Sequence, residues 1–533
     1  MHIFSTCGYF SGPPAVLYGR VMLECDVLVV GSGGGALVGA LLAASAGLRT
    51  TVIEKSDQFG GTTAFSGGGL WIPLNPANER AGVPDSAELV GQYLDATVGL
   101  DRRELRDAYL AAGPGVIADL ERNPWLKFEW RPFPDYFCEA PGALADGRSI
   151  YALDFDATGH EKTVEHLRQP LPPERGGWKE PFPKMIGGRA LLARLLVALS
   201  ETDTVLHRGT ALESLVVEDG RVVGADARAN GDVIRFRAER GVLLAAGGFE
   251  RDADLRHQFQ SPLGADWTLG APSNTGSPLR AAMAAGAGTE LLEECWWAPG
   301  LVLPDQTVSF RLFERGKPGT IMVNGDGVRF ANESWPYDRL GRAMVEGHHQ
   351  GVSHIPCWFL ADQAHVERYG WAATRPGRQI GADWFDSGAI VMADDLAELA
   401  RRIGVPAGAL ADTVEEWNGM ARAGNDVRYH RGESAFDRFF GDPAHGANPN
   451  VGPLEQPPYY AWKVLPADLG TKGGIRCDAS ARALRADGAV LPGLYAAGNT
   501  MASWTNHCYP GPGSPIGSSV VFAALAVDDM RTL

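Results

Sequence analysis

The sequence predicts an α/β protein, with a Rossmann-like dinucleotide-binding domain built from discontinuous segments around an inserted α+β domain. Three observations predict it. Val27 to Glu54, VLVVGSGGGALVGALLAASAGLRTTVIE, reads as strand, glycine turn, helix, strand and terminal carboxylate in one unit. Further apolar runs ending in glycine stand at Arg240 to Glu250, RGVLLAAGGFE, and at Gly493 to Asn499, GLYAAGN. Between the last two, composition shifts near Leu301 towards Trp, His and charged residues, and it shifts back near Pro458.

In the first unit, Gly31 and Gly33 permit a tight turn and let backbone N–H groups approach a pyrophosphate, while Ala36 is the third small residue, where helix packs on strand. The helix N-terminus then faces the anion. Glu54 lies about 20 residues beyond the turn, where a carboxylate accepts hydrogen bonds from ribose hydroxyls and repels a 2′-phosphate, so FAD or NAD is favoured over NADP. The uncharged run Val27 to Leu48 is long enough to raise a membrane span, but Gly31, Ser32, Gly33, Gly34 and Gly35 break it. No membrane span is expected. In GGTTAFSGGGLWIP, Gly60 to Pro73, small residues allow close backbone approach to whatever the first turn binds.

Pro, aromatic and acidic residues dominate Asn123 to Lys184 and predict irregular excursions. Gly187 to Glu201 returns to helical periodicity, followed by alternating strands at Leu212 to Val223 and Asp232 to Arg237. Ala393 to Val405 predicts a helix, and Pro406 opens another. A Gly/Pro turn then leads into a final helix, PIGSSVVFAALAVDDM.

At 533 residues, two or more domains are expected. The 48 basic against 64 acidic residues give a net charge of −16, which argues against nucleic acid or an anionic membrane as partner. Seven cysteines (Cys7, Cys25, Cys138, Cys295, Cys357, Cys477, Cys508) are scattered without a CxxC pair. They support neither a disulfide framework nor a metal site, and they suit a reducing, cytoplasmic location. The residues before Met22 lack a secretory pattern and read as an extension.

Taken together, GSGGGA (Gly31 to Ala36), GGTTAFSGGGLWIP, GGRAL (Gly187 to Leu191), AAGGFE (Ala245 to Glu250), NTG (Asn274 to Gly276), RFANESWPY (Arg329 to Tyr337), RGESAFDRFFGDP (Arg431 to Pro443), DLGTKGG (Asp468 to Gly474), GLYAAGN and YPGPGSPIG (Tyr509 to Gly517) resemble the FAD-dependent 3-ketosteroid Δ1-dehydrogenases, within the fumarate reductase-like flavoproteins. The resemblance implies a Rossmann-like FAD-binding domain in two segments, 23–300 and 459–533, an inserted α+β catalytic domain at 301–458, and an extension at 1–22. FAD would lie against Gly31, Ser32, Gly33, Gly34, Gly35, Ala36, Glu54, Lys55, Gly61, Thr62, Thr63, Ser66, Gly67, Gly68, Ala246, Gly247, Gly498, Asn499, Pro515 and Ile516. A helix starting near Ile516 would aim its N-terminus at the flavin ring. No second glycine turn of similar quality offers itself to a nicotinamide.

The resemblance also implies a reaction, in which a C=C bond forms beside a ring ketone, most simply by Δ1-desaturation of a 3-ketosteroid. Tyr509 and the Gly513 N–H would polarise the carbonyl, each such donor being worth about 10²–10³ in rate. Tyr337 would take the α-proton with Tyr136 as its hydrogen-bonded helper, and the β-hydride would go to the flavin N5. Pro510 and Pro512 cannot donate, which leaves Gly511 and Gly513 as the amides of the turn. His507 is a competing acid or base, and Cys508 has no visible activating partner.

Two departures from the family pattern stand out. Ser277 follows NTG where an acidic residue is expected, and Trp296, Trp297, Trp335 and Trp504 crowd the expected pocket, so a smaller cyclohexanone-like ketone is the alternative substrate. A fumarate reductase-like enoate reductase would need Arg339, Arg342, His348, His349 or His354 to grip two carboxylates, although such residues more commonly form solvated faces. The external electron acceptor is not identified by the sequence.

Overall fold

Residues 15–17, 20–177, 180–311, 313–372 and 374–533 are described by the computed structural model of the chain. The extension expected ahead of Met22, with Cys7, lies outside them apart from two short pieces: Ala15–Leu17, paired antiparallel with the start of the first long strand, and Arg20–Val21.

That strand, β1 (Arg20–Val30), has Val27 to Val30 buried on both faces, as a parallel sheet covered by helices requires. It passes through the glycine turn into α1 (Gly34–Ser45) and returns as β2 (Thr50–Ile53). After the irregular stretch, α2 (Gly187–Ser200) leads to β3 (Val205–His207), β4 (Thr210–Glu218), β5 (Arg221–Ala229) and β6 (Asp232–Leu244). The run read from sequence as one strand at Leu212 to Val223 is two, because Asp219 and Gly220 both take positive φ (48° and 76°) and turn the chain. Asn230 and Gly231 repeat the device before β6. β6 also absorbs the apolar run at Arg240: its first half pairs with β5, and its length pairs in parallel with β1.

The second body is an antiparallel sheet of β7 (Cys295–Val302), β8 (Thr320–Val323), β9 (Cys357–Asp362), β10 (Ile390–Ala393) and β11 (Tyr459–Thr471), with the short strand Val308–Ser309 on the edge of β7 and α3 (Tyr337–His349) against β7. β11 runs through its centre, pairing with β9 and β10 near one end and with β7 at the other. Both faces are covered: Phe359 and Ala361 pack into one core, and Trp358 and Leu360 into another beneath helices Leu396–Ile403 and Ala407–Ala423. β7 begins ahead of the expected boundary at 300 and β11 starts at the one expected at 459, and both belong to this sheet.

The chain returns as β12 (Val490–Ala496), parallel to the end of β6, which sets the order β3–β2–β1–β6–β12. The last helix, α4 (Ser514–Arg531), packs along α1. Gly35 makes that approach possible, because a Cβ there would lie 2.5 Å from the Ser519 carbonyl oxygen. The strand ends, the N-termini of α1 and α4 and the second sheet all face one space.

Candidate active site

A cavity of about 1100 Å³ runs from the end of β2 to the junction with the second body. It is lined by every residue expected to meet FAD except Ala36, which is buried inside α1, and by Tyr136, Tyr337, Tyr509 and Gly513.

One end is made mostly of backbone. Gly31 has φ +106°, and a Cβ would sit 2.5 Å from the Ala245 carbonyl oxygen, so only glycine carries β1 into this turn. Neither α1 nor α4 has a side-chain cap or an acidic residue in its first turn, leaving both N-termini electropositive towards the cavity. The Gly34 N–H donates to Thr63 Oγ1 at 3.1 Å. Glu54 is buried, accepting from Ser32 Oγ at 2.6 Å and the Ser56 N–H at 2.8 Å, so its carboxylate is fixed at the cavity wall with acceptor capacity to spare. Thr62 Oγ1 accepts from Asn274 Nδ2 at 3.0 Å, and Asn274 in turn is held by Glu250 at 2.6 Å. Burial raises the Glu250 carboxyl to about 7. A glycine cradle, two uncapped helix ends and a fixed carboxylate fit a flavin dinucleotide: Gly31 to Gly35 and Thr63 would hold the pyrophosphate, Glu54 the ribose, and Gly498, Pro515 and Ile516 the ring.

The other end is aromatic. The Tyr136 hydroxyl donates to that of Tyr337 at 2.7 Å, across 201 residues of sequence. Tyr509 joins them, with ring centroids 4.9 Å from Tyr136 and 5.5 Å from Tyr337. Burial, more than any neighbour, holds all three phenols well above their ordinary value near 10, while the Gly513 N–H hydrogen bond pulls Tyr509 the other way.

Each tyrosine is placed by a different device. Tyr337 opens α3 after Pro336. Tyr136 is fixed by its own N–H to the Pro510 carbonyl at 3.1 Å, and Tyr93 binds the same oxygen. Asp135, in an ion pair with the fully buried Arg148, accepts from Trp71 Nε1 at 2.8 Å and so locks the segment before Tyr136 against the floor of the Gly/Pro turn. Ser149 Oγ holds Pro512 at 2.5 Å.

Within that turn the two amides separate. Gly511 donates to Ser514 Oγ at 3.3 Å whereas Gly513 donates to the Tyr509 oxygen, and α4 begins at Ser514 rather than near Ile516. Gly513 takes φ +94°, and a Cβ would meet the Gly69 backbone at 2.3 Å, which leaves glycine as the residue that fits and its amide facing Tyr509.

The competing residues lie elsewhere. His507 Nδ1 contacts Glu294 at 2.6 Å and Arg342 grips the same carboxylate, which burial would push up but these partners and Lys472 bring down to about 2. Burial raises the Cys508 thiol to about 12, and it does not line the cavity. Arg339 pairs with Glu139, and none of Arg339, Arg342, His348, His349 and His354 reaches the cavity wall. The four indoles do not line it either: Trp504 stacks on Tyr109, and Trp296 backs Tyr509 at 4.8 Å. The wall beside the tyrosines is instead phenylalanine, from Phe133, Phe310, Phe439 and Phe440, none of which was singled out from sequence. Ser277, where an acid was expected, lines the cavity at a helix start. Among the described residues no helix is long and apolar enough to cross a membrane, and no group of three or more His, Cys, Asp or Glu could hold a metal ion.

Residues 26–516 match the family described as an FAD binding domain. The chain is 42% identical to a 3-oxosteroid 1-dehydrogenase of Mycobacterium tuberculosis, over 94% of this chain and 97% of the relative. It is 36% identical to a 4-oxocyclohexanecarboxylate 2-dehydrogenase of Sinomonas cyclohexanicum, over 97% and 93%. Among solved structures, the 3-ketosteroid delta1-dehydrogenase of Sterolibacterium denitrificans in complex with 1,4-androstadiene-3,17-dione superposes with a TM-score of 0.90 at 34% identity, covering 96% of this chain and 99% of that one.

Proposed function

The chain belongs to the FAD-dependent 3-ketosteroid Δ1-dehydrogenase family, as an FAD oxidoreductase acting on CH–CH groups, and from that premise we propose that it forms the C1–C2 double bond of a 3-ketosteroid. The observation that carries this reading is the pair of hydroxyls of Tyr136 and Tyr337, 2.7 Å apart, at the same end of the cavity as Tyr509 and the Gly513 amide.

The ketone oxygen takes the Tyr509 hydroxyl and the Gly513 N–H as donors. The Gly513 N–H bonds the Tyr509 oxygen, so both donors already sit together, and turned to the ketone they favour the enolate-like charge that develops as the α-proton leaves. Tyr337 receives that proton on its phenolic oxygen. A phenolate here is costly because the site is dry, and the Tyr136 hydroxyl, donating at 2.7 Å, offsets part of the cost. Bound FAD supplies the acceptor for the hydride that leaves the β-carbon. Phe133, Phe310, Phe439 and Phe440 exclude water from the reacting carbons and offer flat apolar faces to a fused-ring substrate.

Similarity to the 4-oxocyclohexanecarboxylate dehydrogenase supports a second reading, a single-ring ketone handled by the same groups. Anaerobic titration of the yellow protein separates the two. Bleaching of the flavin by a 3-ketosteroid with a saturated C1–C2 bond, and not by cyclohexanone, is the expected outcome; bleaching by the small ketone alone would replace the steroid reading.

A further inference from the structure

Four arginines line the cavity, and they are unequally matched. Arg131 is held by Glu129 and Asp154, and Arg311 by Glu314, the carboxylate that lines the same wall. Arg175 and Arg375 have no carboxylate partner among the described residues. Arg375 is exposed at the wall. Arg175 is half-buried, and among the described residues its guanidinium has two long contacts with carbonyl oxygens, Val308 at 3.4 Å and Thr268 at 3.3 Å.

The Thr268 oxygen also takes Arg251 Nη2 at 3.3 Å, so two like charges converge on one acceptor. Asp305, the carboxylate that offsets Arg175 from a distance, is already bound to Thr307 at 2.6 Å. Burial and the Arg251 charge both lower the Arg175 pKa, the mark of a cation short of counter-charge. Its position relates it to the reacting end: the Arg175 carbonyl is bonded by the Phe310 N–H, and the Phe310 ring packs edge-on against Tyr337 at 4.8 Å.

A half-buried guanidinium with no carboxylate partner among the described residues, on a cavity wall whose other charged groups are matched or exposed, is suited to a ligand that brings an anion. We propose that the preferred substrate is a ring ketone carrying a carboxylate remote from the carbonyl, and that Arg175 binds this carboxylate while Arg375 draws it in. The inference rests on the ring-ketone reading above. A steroid with an acidic side chain and a single-ring oxo-acid share this chemistry.

The test compares kcat/KM of the holoenzyme for matched pairs, namely a 3-ketosteroid with a side-chain carboxylate against its methyl ester, and 4-oxocyclohexanecarboxylate against its methyl ester. The expected result is that one acid exceeds its ester by about tenfold, which also identifies the source. Arg175→Gln should collapse that ratio through KM while flavin content stays that of the parent. Arg375→Gln, at an exposed position, should reduce the ratio at low salt and much less at high salt. Equal turnover of acid and ester, a ratio unmoved by both substitutions, or loss of flavin from Arg175→Gln (which would assign the guanidinium to the cofactor) would each overturn the proposal. Failure of every ketone, acid or ester, to bleach the flavin would instead overturn the ring-ketone reading itself.

Discussion

The two ends of the cavity are built on opposite principles. At the glycine end, the short stretches Gly31 to Gly35 and Gly61 to Gly68 line the cavity, and at Gly31, Gly35 and Gly68 a Cβ would meet backbone within 2.5 Å, so side chains must be absent there. At the tyrosine end, Tyr136, Tyr337 and Tyr509 come from three distant segments and present hydroxyls out of an aromatic wall. Where backbone meets backbone this closely, no added atom is tolerated, and the position contributes shape and binding. One defined by hydroxyls can lose a single oxygen, keep its shape and lose only its chemistry.

That contrast can be broken most severely at Gly31. Gly31→Val places atoms where the Ala245 carbonyl oxygen already lies 2.5 Å from a Cβ, so the purified protein should lack the flavin absorption band and all ketone oxidation. A yellow Gly31→Val protein would show that the turn is not shaped by the cofactor.

Removing one hydroxyl at the other end should do the reverse. Tyr337→Phe and Tyr509→Phe are each expected to retain flavin while kcat falls about 10²–10³-fold. If either released flavin, the two ends would not be separable.

The mildest effect is in pH. Because burial holds the Tyr337 phenol above 10, its basic form is scarce at neutral pH and grows with each unit of alkalinity. The rate of the proton-transfer step should therefore rise about tenfold per pH unit with no plateau below pH 10. A plateau near pH 7 would assign the base to another group.

Legibility in the sequence follows the same division. Strand, turn, helix and carboxylate within Val27 to Glu54 obey local rules, so fold class and dinucleotide end can be read from them directly. The Asp219–Gly220 turn is equally local, yet alternation continues across it and gives two strands the pattern of one. The tyrosine end obeys no spacing, since partners 201 residues apart leave no periodic trace, and its residues were reached through family resemblance alone. Phe133 and Arg175 lie in the irregular stretch from Asn123 to Lys184, where nothing periodic points inward. The composition shift at Leu301 marked the loops and helices of the second body but missed β7 and β11, whose buried apolar residues match those of the first sheet.

The contact of Gly35 with the Ser519 carbonyl has a consequence for how the protein is made. α1 leaves the ribosome long before α4 exists, so one flank of its glycine face has no partner during most of synthesis. The same late segment carries Tyr509 and Gly513. Cofactor loading and completion of the carbonyl clamp are thus expected to be one late event, and a nascent chain halted before residue 509 should expose the α1 glycine face to chaperones and bind no flavin.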